Sequence, residues 1–241
     1  MDVANLSDLL FTRLAEQGRP ERADGEKRYL KSTLTHLGVG MPALRRTTRQ
    51  FLREHDLDLP ARLALAEELW RRPVYELRRA AVEVLVCAEG ELLPRHLDMV
   101  EGFLREANTW ALVDPLATEV AGAVAAAFPD ARPTFDRWIA DDDFWVRRAA
   151  LLAHLRLLRT HPDRFDLFAT YADRVLDERE FFIRKAIGWV LRETGRRAPQ
   201  RVIGWLEPRI PRVSGVTLRE AVKHLPEADA ERLLGAYRAR T

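Results

Sequence analysis

Apolar residues recur along this chain at a period near 3.6, and no stretch alternates with the period of two that a half-buried strand requires. The pattern predicts helices near 3–17, 21–36, 41–54, 60–71, 74–88, 92–106, 109–127, 131–140, 144–159, 164–176, 180–195, 198–206, 215–224 and 227–238. Proline and glycine punctuate them, at Gly38, Gly40, Pro42, Pro60, Pro73, Pro94, Pro129, Pro162, Pro199 and Pro226. The loops left between helices are short, so neighbouring helices are expected to run antiparallel. One helix raises a question. In EFFIRKAIGWVLRE (Glu180–Glu193), Ile183, Ala186, Ile187 and Val190 form the stripe to be buried. Lys185, Trp189 and Arg192 then share another face, with an indole between two cations.

The helices also repeat. ALRRTTRQFL, ELRRAAVEVL, WVRRAALLAHL, FIRKAIGWVL and TLREAVKHL share an aliphatic residue followed by arginine, at Arg45, Arg78, Arg147, Arg184 and Arg219. The spacings are 33, 69, 37 and 35 residues, so the second interval holds two periods and one copy is expected near 110–114. Helix pairs at this period build an α-solenoid, because each pair buries a face only against its neighbours. DDDFWVRRAA resembles the second helix of a HEAT repeat. The expected fold is therefore all-α, a right-handed HEAT-like superhelix of about six helix pairs forming a single domain over residues 1–241, with a concave surface made by the second helices.

The missing copy reads NTWALVDPLATEV. The arginine is gone, and Trp110 and Asp114 stand four residues apart, on one helical face. Replacement of a structural residue by an aromatic and a carboxylate suggests a site. The alternative makes Trp110 a core residue and Asp114 an N-cap, with Pro115 at the first helical position.

Charge adds to this picture. The net charge of +2 is modest, but Arg184 to Lys223 holds ten basic residues against Glu193, Glu207 and Glu220. Such a segment attracts phosphate backbones, or is simply a solvated arginine-rich surface. Across the second helices, Trp110, Asp114, Trp145, Arg148, Lys185, Trp189 and Arg192 interleave aromatics with cations. That mixture suits a sugar–phosphate ligand: guanidinium groups make paired bonds to phosphate, and indole faces pack on sugar edges or a cationic base. Trp189 need not be buried by the protein if nucleic acid covers it.

Other chemistries fit poorly. The six histidines (36, 55, 96, 154, 161 and 224) show no metal-ligand spacing, and His154 and His161 read as surface positions. There is no phosphate loop, dinucleotide fingerprint or nucleophile elbow. Neither a metal nor a cofactor is implied. One carboxylate is too few for ordinary glycoside hydrolysis, yet enough when the leaving group is already cationic, as an N-alkylated purine is. The single cysteine, Cys87, is expected to be buried and fits a reducing cytoplasm. The first residues read as a charged amphipathic helix rather than a signal peptide, and no apolar run is expected to reach membrane-spanning length.

With these residues assembled, the chain resembles the AlkD-type DNA alkylation repair glycosylases, a HEAT-like family, over nearly its whole length. KRYLKSTLTHLGVGMPALRR, TWALVD, FWVRRAALL and EFFIRKAIGWVLRE carry the resemblance. It implies a monofunctional, monomeric enzyme that removes cationic alkylpurines such as 3-methyladenine and 7-methylguanine from double-stranded DNA in base excision repair. By motif, Asp114 would stabilise the oxocarbenium-like sugar and orient water. Trp110 and Trp189 would pack on the deoxyribose, and Arg148 would hold the phosphate nearby. Tyr29 would lie at the DNA surface. Lys31, Arg46, Arg79, Trp145, Lys185 and Arg192 are further candidate DNA contacts. The family engages lesions through the backbone without drawing the base into a pocket, so bulky adducts, including those met in self-resistance to alkylating natural products, use the same logic. Ala111 stands where the family has its first Asp, directly after the Trp. A protein that binds damaged or branched DNA without cutting it is the main alternative. The Arg78, Arg147 and Arg184 column is expected to make ion pairs within repeats. Trp70, Trp138 and Trp205 are expected to pack in the core or at its rim, and Tyr75 and Phe144 between repeats.

Overall fold

A computed structural model describes residues 2–240. Among these residues the only extended pairing is a single parallel bridge between Thr35 and Val74; everything else regular is helical. The all-α expectation is met. The contacts divide the chain into two compact units, Met1–Leu116 and Ala117–Thr241.

The first unit holds α1 (Val3–Ala15), α2 (Pro20–Leu30), α3 (Met41–His55), α4 (Leu59–Arg71), α5 (Tyr75–Cys87), α6 (Leu97–Ala107) and α7 (Trp110–Pro115). Asp2 and Asp58 start α1 and α4 by accepting backbone N–H bonds from Ala4 and Ala61. Leu6, Leu10 and Leu14, four apart, bury one stripe of α1 completely, each worth about 2 kcal/mol. That stripe packs on α3 and α4, while α3, α5 and α7 pack in series as a second layer. The repeated arginines stand on this second layer, as the period requires. Arg78 donates to the Glu106 carbonyl at 2.9 Å and lies over the Trp70 ring.

The second unit holds α8 (Gly122–Ala127), α9 (Arg132–Trp138), α10 (Phe144–Leu152), α11 (His154–Thr160), α12 (Phe165–Arg174), α13 (Phe181–Gly195), α14 (Pro199–Leu206), α15 (Gly215–Ala221) and α16 (Glu227–Ala239). Asp143, Glu180 and Ser214 cap α10, α13 and α15. These three helices pack in series, α13 against both others. Arg147 pairs with Glu178 at 2.9 Å, and Arg184 donates to the Glu178 carbonyl at 2.7 Å. The arginine column is thus committed to holding neighbouring segments together.

Several expectations are corrected. The helix expected over 21–36 stops at Leu30, because Lys31 takes a left-handed conformation with φ 49°. The segment after it turns at Gly38 (φ 80°) and is held by Glu76, whose buried carboxylate accepts the backbone N–H groups of Leu37, Gly38 and Val39. The helix expected over 144–159 breaks at Ala153 into α10 and α11. Cys87, at the last turn of α5, is exposed. Trp110–Ala127 is long and apolar enough to pass for a membrane span by length and composition, contrary to expectation. Its Leu112, Val113, Leu116, Ala117, Val120 and Ala121 are nevertheless fully buried, as in a core helix. Trp70, Trp138 and Trp205 are buried as expected.

Candidate functional site

Thr109 ends the turn after α6 and caps α7 by accepting from the Ala111 N–H. Helix therefore begins at Trp110, one turn before Asp114. This removes the alternative in which Asp114 is an N-cap. It also leaves Trp110 37% exposed rather than in the core, with Asp114 half-buried on the next turn. Tyr29, near the end of α2, meets the Trp110 indole edge-on, with centroids 6.2 Å apart and planes at 89°. Tyr29 is itself 73% exposed. Two large rings thus stand in water at right angles beside a carboxylate, an arrangement that presents an apolar wall to a ligand. Lys31 and Arg46 are exposed in the same unit, and among the described residues neither forms an ion pair.

Pro115 follows Asp114 inside the helix. It has no N–H, so the Ala111 carbonyl lacks its helical donor, and the proline ring crowds that carbonyl outward. Arg79 supplies the missing donor: its Nη1 lies 2.8 Å from the Ala111 oxygen. Arg79 is only 7% exposed, and burial lowers its pKa. It is buried beneath α7 rather than facing open solvent as a DNA contact would, which corrects that expectation. Beyond Pro115 the chain widens into a π-helical segment, Leu116–Ala121, a form often found beside functional residues.

In the second unit the face of α13 has a clear electrostatic cause. Glu220 of α15, 3% exposed, receives Lys185 and Arg192 from α13 in short ion pairs and Lys223 from its own segment at 3.0 Å. Burial alone would raise the Glu220 pKa, but bonds from Lys185 and Lys223 and the nearby Arg192 charge outweigh it and hold it at about 2. The carboxylate therefore fixes Lys185 and Arg192 on either side of Trp189. The Trp189 indole is half-buried, and among the described residues no other ring stacks on it.

Arg148 and Trp145 are placed differently from the groove-facing expectation. Arg148 is 3% exposed and donates to the Phe182 carbonyl at 2.5 Å while lying over the Phe182 ring. Trp145 is buried against Phe144 and Phe182. Aromatic side chains from α10 and α13 enclose this corner, a feature that helical spacing within one helix does not reveal. The basic stretch also has partners outside itself: Arg209 binds Asp173 and Arg212 binds Asp177, each at 2.5 Å. His154 is likewise not at the surface. It is buried, bonded to the Ala150 carbonyl and surrounded by Phe135, Phe168 and Tyr171.

Among the described residues, one three-residue group could hold a cation by proximity, namely Glu26, His36 and Glu76. The Glu76 oxygens already accept three backbone N–H bonds, and the His36 ring stacks on Tyr75. This is a structural knot beneath the α2–α3 connection.

Comparison with known proteins places the chain in a family. Residues 10–225 match the family model described as DNA alkylation repair enzyme. Among solved structures, the chain is similar to a protein described as a predicted DNA alkylation repair enzyme from Enterococcus faecalis, with 25% identity and a TM-score of 0.74 over 88% of this chain and 98% of that one. AlkD2 from Streptococcus mutans shares the fold at 18% identity and a TM-score of 0.61, over 77% of this chain and 90% of that one. The smu.31 protein of Streptococcus mutans UA159 does so at 16% and 0.58, over 77% and 98%. No curated protein sequence matches.

Proposed function

The chain belongs to the DNA alkylation repair enzyme family, and from that premise we propose that it is a monofunctional DNA glycosylase releasing cationic N3- and N7-alkylated purines from double-stranded DNA. The observation that carries this reading is the pairing of Trp110 and Asp114 on successive turns of one helix, with the indole exposed edge-on to Tyr29. An alkylated purine is already a good leaving group, so the bond to C1′ breaks without a general acid. The sugar then carries positive charge in an oxocarbenium-like transition state. A fixed carboxylate stabilises that charge and orients the attacking water, and the benefit is largest where the carboxylate is preorganised. Exposed rings suit the sugar's apolar edge, and the base needs no enclosing pocket.

The roles of Trp189 on sugar and Arg148 on phosphate belong to the same reading through the family resemblance. Arg148 already donates to the Phe182 carbonyl, so a phosphate role would be shared with that bond. Lys185 and Arg192, fixed by Glu220, would add backbone attraction.

The test is direct. Duplex DNA methylated to carry 3-methyladenine and 7-methylguanine is incubated with the protein, and released base is measured by chromatography. Free alkylpurine with no strand scission supports a monofunctional glycosylase. Tight, salt-sensitive binding without released base would replace it with a non-catalytic binder of damaged DNA.

A further inference from the structure

We propose that Arg79 is a positioning residue for the Trp110–Asp114 turn, required because Pro115 deprives that turn of a backbone bond. The inference rests on the glycosylase reading for its catalytic consequence, but not for its structural part.

Ala111 lies in the turn that carries both Trp110 and Asp114. In an uninterrupted helix its carbonyl accepts from the N–H four residues on; here that residue is proline. The next amide does not replace it, since Leu116 donates to the Leu112 and Val113 carbonyls. An orphaned carbonyl in this half-buried position would cost stability and leave the turn free to shift. Arg79 reaches across from α5 to take it at 2.8 Å.

No ion pair among the described residues explains the burial of Arg79. It is almost wholly buried, yet among the described residues it forms no ion pair, and its Nε has no hydrogen-bond partner. Burying a guanidinium is unfavourable unless it is compensated. Its neighbour in the sequence, Arg78, serves the ordinary repeat function on Glu106. Arg79 therefore stands one position off the repeat column for a separate purpose. The main-chain carbonyl of Ala111 is thus the anchor of the turn.

The experiment is a rescue. Arg79→Met removes the donor, and Pro115→Ala in the same chain restores a backbone N–H to the Ala111 carbonyl. Single-turnover release of 7-methylguanine and affinity for the same duplex are measured for each. Arg79→Met is expected to slow release at least tenfold while changing affinity less than about threefold, and Pro115→Ala is expected to restore most of the rate. Equal losses in rate and affinity would mean that Arg79 contacts DNA, and failure of rescue would mean that the Ala111 bond is not its role; either overturns the proposal. Where the methionine variant does not fold, Arg79→Lys with and without Pro115→Ala makes the same comparison. If the parent protein releases no base, the glycosylase reading fails and amide hydrogen exchange decides the structural part. Exchange across residues 110–116 should rise at least tenfold in Arg79→Met and fall again in the double variant; unchanged exchange would sink it.

Discussion

Gly188 of α13 packs directly against Glu220 of α15, so closely that a methyl group at 188 would come within 2.7 Å of the Glu220 Cβ and 2.9 Å of the Thr217 carbonyl oxygen. The two helices approach this tightly because position 188 has no side chain. Thr217 uses the proximity to donate to the Arg184 carbonyl at 3.0 Å, and Glu220 uses it to reach Lys185 and Arg192. Gly188→Ala is therefore expected to destabilise the protein by about 1–3 kcal/mol through overpacking, although alanine is the better helix former. Thermal or denaturant unfolding measures this; a variant as stable as the parent would show that α15 moves aside freely.

Glu220 is the counter-charge for a cluster of three cations. Glu220→Gln should leave Lys185, Arg192 and Lys223 repelling one another. Because those cations are partly exposed, the expected loss is about 1–2 kcal/mol, smaller at high salt. The sign with pH follows from the lowered carboxyl value. The contribution is complete above the unfolded carboxyl range, near pH 4.5, and is lost as pH falls toward about 2. Parent and variant should converge in stability over that window.

His154 adds a second acid-sensitive contribution, at higher pH and from a group held neutral rather than charged. Burial lowers its pKa to about 4 from 6.5, against weaker raising effects from backbone carbonyls and Asp136. The folded protein holds it neutral, while the unfolded chain protonates it below pH 6.5. Stability should therefore fall as pH drops from 6.5 to 4, by roughly 3 kcal/mol in total from this residue. His154→Phe, which keeps a ring among Phe135, Phe168 and Tyr171, should flatten unfolding free energy over that range. An unchanged slope would assign the acid sensitivity elsewhere.

Asp114→Asn removes the charge but keeps the size. Excision is expected to fall about 100-fold or more, in line with the loss of a preorganised electrostatic group, while duplex affinity holds or rises. Product release under single-turnover conditions, beside a binding titration, checks it. Parental rates in the variant would remove Asp114 from the chemistry.

The chain's periodicity alone determined most of the helices, the repeat and the order of the second-layer arginines. These depend on which face of each helix is apolar, and that is written locally at a spacing of three and four residues. The replaced repeat also marked Trp110 and Asp114, because a break in a regular pattern shows in the letters. What the sequence could not supply was the partner of each polar group. Arg78 and Arg79 are adjacent letters of the same type, yet one binds the Glu106 carbonyl and the other completes a helix interrupted by a proline 36 residues away. Lys185 and Arg192 looked like a free cationic face until α15 brought Glu220 between them. Arg148, Trp145 and His154 were assigned to open surfaces and lie buried, because neighbouring helices supplied the carbonyls and rings that make their burial tolerable. Only tertiary structure decides such matters: the cost of burying a polar or charged group is set by what packing places within about 3 Å of it, and that distance joins residues that the sequence keeps far apart.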